Sequence, residues 1–173
     1  MSGHSKWHNI KIRKEATDAK KGKAFTKLAK EIISAVKQGG ADPAANALLR
    51  DVIARAKKVN MPQANISRLL QDKDSSNLQT IVYEAFGPGG SALLIEATTD
   101  NPNRTVGQVR TILRDNNGSL GGPNSVHWKF NDGGKPQYPL ELSDSDNQAL
   151  QTLMTALEAE DDVTSVTSDA TSI

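Results

Sequence analysis

The sequence predicts an α+β protein with a helical bundle first and an antiparallel sheet after it. Three observations carry this. Apolar residues recur at helical spacing up to about residue 70, and strand-like alternation begins at Thr80. The charge also divides: residues 1–73 hold 16 Lys+Arg against 6 Asp+Glu, whereas residues 74–173 hold 5 against 14. A basic half joined to an acidic half points to a polyanionic partner for the first; compensating solvated surfaces are the bland alternative.

The chain has 173 residues, 36% of them hydrophobic and only 4% aromatic, so aliphatic side chains must fill a modest core. It has no cysteine, which excludes disulfides, thiolate catalysis and cysteine-ligated metal. No long apolar run suggests a membrane helix. The N-terminal residues lack the apolar segment of a secretory signal, so a cytoplasmic location is expected.

Taken in order, the first 20 or so residues are basic and weakly periodic. Phe25, Leu28, Ile32, Ile33 and Val36 then mark one face of a helix that Gly39 and Gly40 should close in a left-handed cap. Asp42-Pro43 reads as the N-cap and first turn of a second helix, with Leu48, Leu49, Val52, Ile53 and Ala56 on its face. Pro62 opens a third helix with Ile66, Leu69 and Leu70 inside, completing a three-helix bundle over 1–72. Residues 72–79 read as a polar linker.

From 79 to 173 the order is strand 80–86, a Gly87-Pro88-Gly89-Gly90 turn, and strand 91–98. A helix follows, carrying Val106, Val109, Ile112 and Leu113. Strands at 125–130 and 137–142 flank a turn at Asn131-Asp132-Gly133-Gly134. Ser143 caps a helix with Leu150, Leu153, Met154 and Leu157, and 163–168 is the last strand. After the first strand this is the split βαβ order of ferredoxin-like folds, with helices on one face of the sheet. That fold serves many functions and names none.

The run Gly3 to Lys14, GHSKWHNIKIRK, mixes cations with an aromatic ring. Residues 1–30 hold nine basic and two acidic residues. The candidate nucleic-acid-binding residues are Lys6, Trp7, Lys11, Arg13, Lys14, Lys20, Lys21, Lys23 and Lys27. The cations suit phosphate neutralisation, which positions a protein without reading sequence. Trp7 either stacks on an unpaired base or anchors the chain on the bundle. His4 and His8 have the spacing of a metal pair on a helix, but no third ligand is near and the segment is not convincingly helical, so they read as surface residues. His127 alternates within a strand and reads as structural. The glycines of 87–90 lead into a strand rather than a helix, which excludes a P-loop. No serine elbow, zinc motif or nucleophile–base pairing appears, so no catalytic residue, metal or cofactor is assigned and the chain is not expected to be an enzyme. Arg104 beside Asn101 and Asn103 reads as helix capping plus a loop tie.

Several runs resemble one family. GHSKWHNIKIRK from Gly3, KGKAFTKLAKEI from Lys21, NMPQANISR from Asn60, YEAFGPGG from Tyr83, TTDNPNRTVGQVR from Thr98 and GGPNSVHWKF from Gly121 are similar to the YebC/PmpR-type proteins. The same runs resemble their mitochondrial relatives, the translational activators of cytochrome c oxidase subunit I. The resemblance implies a helical first domain and α/β domains after it. It also implies a role either as a ribosome-associated RNA-binding translation factor or as a DNA-binding transcriptional regulator. A protein-interaction module, docking a basic partner on the acidic half, is the reading from another class. Family members carry a further α/β domain after the segment matching SVHWKF. Here only a short connection near 131–136 stands in its place, so the resemblance implies a member lacking that domain.

Overall fold

The computed structural model describes residues 3–71 and 77–171, with side chains from Lys14 onward except Ala16. The chain forms two compact units, Met1–Asp74 and Ser75–Ile173.

In the first unit, α1 spans Gly3–Gly39, α2 Ala47–Lys58 and α3 Gln63–Gln71. Helix α1 therefore begins far earlier than the apolar pattern suggested. From Lys14 to Lys23 the apolar rhythm is missing because every described side chain there is exposed. Lysine, alanine and glutamate favour the helix through low side-chain entropy cost instead. Leu28, Ile32, Ile33 and Ala35 are buried against Leu49, Val52 and Ala56 of α2 and Ile66 and Leu69 of α3. Gly40, at φ 84°, ends α1 as expected, its N–H reaching the Val36 carbonyl at 2.8 Å.

The start of α2 differs from expectation. Asp42-Pro43 makes a separate turn, with the Ala44 N–H donating to Asp42 Oδ1 at 2.9 Å. The N-cap is Asn46, whose Oδ1 accepts from the Leu49 N–H at 3.1 Å. Asn46 Nδ2 also donates to the carbonyls of Ala35 at 2.8 Å and Gly40 at 2.9 Å. One buried amide thus caps α2 and satisfies the end of α1, and that tertiary tie overrides the local Asp-Pro signal. Leu48, expected on the packed face, is 47% exposed.

In the second unit, β1 (Gln79–Phe86) and β2 (Ala92–Thr99) form an antiparallel hairpin, and α4 spans Pro102–Asp115. A two-residue β3 (Ser119–Leu120), α5 (Asp144–Glu158) and β4 (Val163–Ser168) complete it. The sheet order is β3-β1-β2-β4, with every pairing antiparallel. β2-α4-β3 is therefore a split βαβ unit with β1 between its strands. The ferredoxin-like arrangement is realised with a central strand supplied from the N-terminal side of the unit. Leu93 and Ile95 of the sheet pack with Val109 and Leu113 of α4 and Leu150, Leu153 and Leu157 of α5.

The two strands expected at 125–130 and 137–142 do not form. Residues 127–129 make a single 3-10 turn, and exposed His127 is not a strand residue. Only isolated bridges remain, Phe130 with Pro136 and Leu140 with Ala170. Glu84 explains the first loss. Its carboxylate accepts the backbone N–H groups of Asn124 at 2.7 Å, Val126 at 2.7 Å and His127 at 2.8 Å, drawing these donors away from any ladder. Pro139, without an N–H, interrupts the second. The turn itself forms, with the Gly134 N–H on the Asn131 carbonyl at 2.8 Å and Gly134 at φ 71°.

Candidate nucleic-acid interface

Helix α1 extends for about 55 Å at 1.5 Å per residue. Lys14, Thr17, Lys21, Ala24, Leu28, Ile32 and Ala35 follow one another along one stripe of it at steps of three and four. The stripe is apolar and buried from Leu28 onward but polar before Ala24. Every described side chain from Lys14 to Lys23 is exposed. One helix thus serves as bundle core at one end and as a cationic rod at the other.

Among the predicted contact residues, Lys14, Lys20, Lys21 and Lys23 are exposed on this stretch and Lys27 is half-buried where packing begins. The side chains of Lys6, Trp7, Lys11 and Arg13, like those of His4 and His8, lie outside the described residues. Lys20 and Lys21 line a shallow groove of 350 Å³ with Thr17, Ala24 and Val59. Val59 is the C-cap of α2, directly after Lys57 and Lys58. Packing of α2 on α1 therefore brings a second pair of lysines to this end of the bundle. Sequence periodicity places both lysines in the last turn of α2, but not beside α1.

In the second unit, Arg104 is engaged internally. Arg104 donates to Asp162 at 2.9 Å, Asp100 at 2.8 Å and Thr99 Oγ1 at 3.3 Å. Buried Asp162 also accepts from Thr105 Oγ1 at 2.7 Å. This arginine ties the α4 start to β2 and to the approach to β4, and Asn101 caps α4. For Glu84, burial pushes the carboxyl pKa upward, but the three backbone N–H groups and nearby His127 outweigh it and hold it below its ordinary value. Among the described residues, no three His, Asp or Glu side chains are grouped to hold a metal ion. No helix among them is long and apolar enough to cross a membrane.

The family pattern "TACO1/YebC protein N-terminal domain" matches residues 5–75, and "TACO1/YebC second and third domain" matches residues 78–135. The chain belongs to the TACO1/YebC family. It is 52% identical over 134 residues to a "probable transcriptional regulatory protein" of Thermoanaerobacter pseudethanolicus, covering 75% of this chain and 54% of that protein. The protein of the same description from Caldanaerobacter subterraneus is 46% identical over 163 residues, 92% of this chain and 66% of its own length. The chain thus spans between half and two thirds of these TACO1/YebC relatives. A crystal structure of a conserved hypothetical protein from Aquifex aeolicus superposes with a TM-score of 0.79 at 26% identity, covering 89% of this chain and 91% of that one.

Proposed function

We propose that this chain is a nucleic-acid-binding regulator of gene expression, acting as an RNA-binding, ribosome-associated translation factor. The observation that carries the reading is the exposed cationic stretch of α1, on which Lys14, Lys20, Lys21 and Lys23 stand clear of the packed core. A helical rod of this kind engages phosphates by counterion release, without base readout. A DNA-binding transcriptional role is the second reading, favoured by the descriptions of the relatives. The chain is read as a basic domain over 1–72 and a ferredoxin-like domain over 79–173, lacking an inserted domain near 131–136. The match of the second-and-third-domain pattern stops at residue 135, and the relatives are longer, which supports this plan.

The test is a titration of single-stranded RNA and duplex DNA with the full chain at several salt concentrations. Wild type is compared with a variant carrying glutamine at Lys14, Lys20, Lys21 and Lys23. Affinity should fall linearly with salt on logarithmic axes, and the variant should lose about three units of slope. Equal affinity of the two proteins at low salt would reject the reading. Tighter binding of duplex DNA than of RNA would favour the second.

A further inference from the structure

The segment that fails to form strands presents two large aromatic rings to solvent. Trp128 is 59% and Tyr138 60% exposed, the highest values among the exposed large hydrophobic side chains of the described residues. Their ring centres are 5.7 Å apart with planes at 52°. The pair is built rather than loose. Glu84 fixes the backbone of 124–127 immediately before Trp128, and Trp128 Nε1 donates to the Ser125 carbonyl at 3.2 Å. The Gln137 N–H donates to the Lys129 carbonyl at 2.7 Å and Gln137 Nε2 to the Phe130 carbonyl at 2.9 Å, tying the approach to Tyr138 onto the end of the 3-10 turn that carries Trp128.

Charge narrows what these rings can meet. Residues 75–173 contain two lysines, Lys129 and Lys135, and both lie between the two aromatic residues. Lys129 Nζ stands 5.9 Å from the Trp128 ring centre and is anchored on buried Asp169 at 2.9 Å. Residues 140–173, by contrast, hold eight acidic residues and no basic one. A duplex, with stacked bases and a continuous run of phosphates, would be repelled by this unit. An unpaired strand offers base faces and needs few phosphate contacts. The indole N–H is already spent on Ser125, so the rings offer faces, with the Lys129 ammonium near that of Trp128, which is the chemistry of base stacking.

We propose that Trp128 and Tyr138, flanked by Lys129 and Lys135, form a stacking platform for the unpaired bases of single-stranded nucleic acid, a second contact separate from the cationic helix. The inference rests on the nucleic-acid reading above. The chain has two tryptophans, so a Trp7→Phe variant of the full chain leaves Trp128 as its one indole emitter. A labelled twelve-nucleotide RNA, single-stranded and as a duplex, is titrated while strand anisotropy and Trp128 fluorescence are read together. Quenching should follow the single-strand binding curve. Trp128→Ala with Tyr138→Ala should weaken single-strand binding by about tenfold or more, leave duplex binding within about twofold, and be rescued by Trp128→Phe with Tyr138→Phe. Binding without quenching, or undiminished single-strand affinity in the alanine pair, overturns the platform and leaves the helix reading standing. No binding of either RNA by wild type overturns both.

Discussion

Replacing Glu84 with alanine removes the acceptor for three backbone N–H groups at once. Asn124 and His127 are exposed, so their freed donors can turn to water at a net loss of about 0.5–1.5 kcal/mol each. Val126 is fully buried, and its stranded N–H costs about 1–3 kcal/mol. The total is about 4 kcal/mol, which for a unit of roughly 100 residues lowers Tm by on the order of 20 °C. Because the folded carboxyl pKa lies below its ordinary value of 4.5, the stabilisation is complete above the unfolded pKa. It is lost as pH falls through the depressed folded value. The gap between wild type and Glu84→Ala, followed by near-UV circular dichroism melts, should be full at pH 7 and narrow in strong acid, where the protonated carboxyl keeps only a neutral acceptor oxygen. Glu84→Gln keeps one acceptor oxygen without charge and should fall between. A Tm within about 2 °C of wild type at pH 7, or a gap unchanged into strong acid, would refute the role given to this carboxylate.

Asn46→Ala should destabilise the helical unit by about 2–3 kcal/mol, since it removes a helix cap and the side-chain bonds to the Ala35 and Gly40 carbonyls; chemical denaturation should show Asn46→Asp recovering only the capping share. Lys129→Met strands fully buried Asp169 and should cost about 2–3 kcal/mol, discounted because Lys129 retains some exposure. Adding Asp169→Asn should recover part of that loss in the same melts. Gly89→Ala should cost about 2 kcal/mol, because Gly89 sits at φ +67° and a Cβ there would lie 2.5 Å from Leu142 Cδ2; an unchanged melting curve would contradict this.

The elements with a wide apolar stripe or clear alternation were legible in sequence. α3, the Ser143-capped α5, the β1–β2 hairpin and β4 all carry their own periodicity, because the face each buries is encoded locally. The lysines of α1 were equally legible as a charge cluster. The helical state of the segment bearing them was not, because an unpacked helix leaves no apolar rhythm. What only tertiary structure decided are the contacts made between distant residues. Asn46 displaced Asp42 as the α2 cap by reaching the end of α1. Glu84 in β1 captured the N–H groups of Asn124, Val126 and His127 and converted a strand-like alternation into a turn. That conversion brought Trp128 and Tyr138 to the surface beside one another. Local patterns specify which face of an element is apolar, but a single buried polar side chain, obliged to satisfy its hydrogen bonds, chooses its backbone partners across the fold.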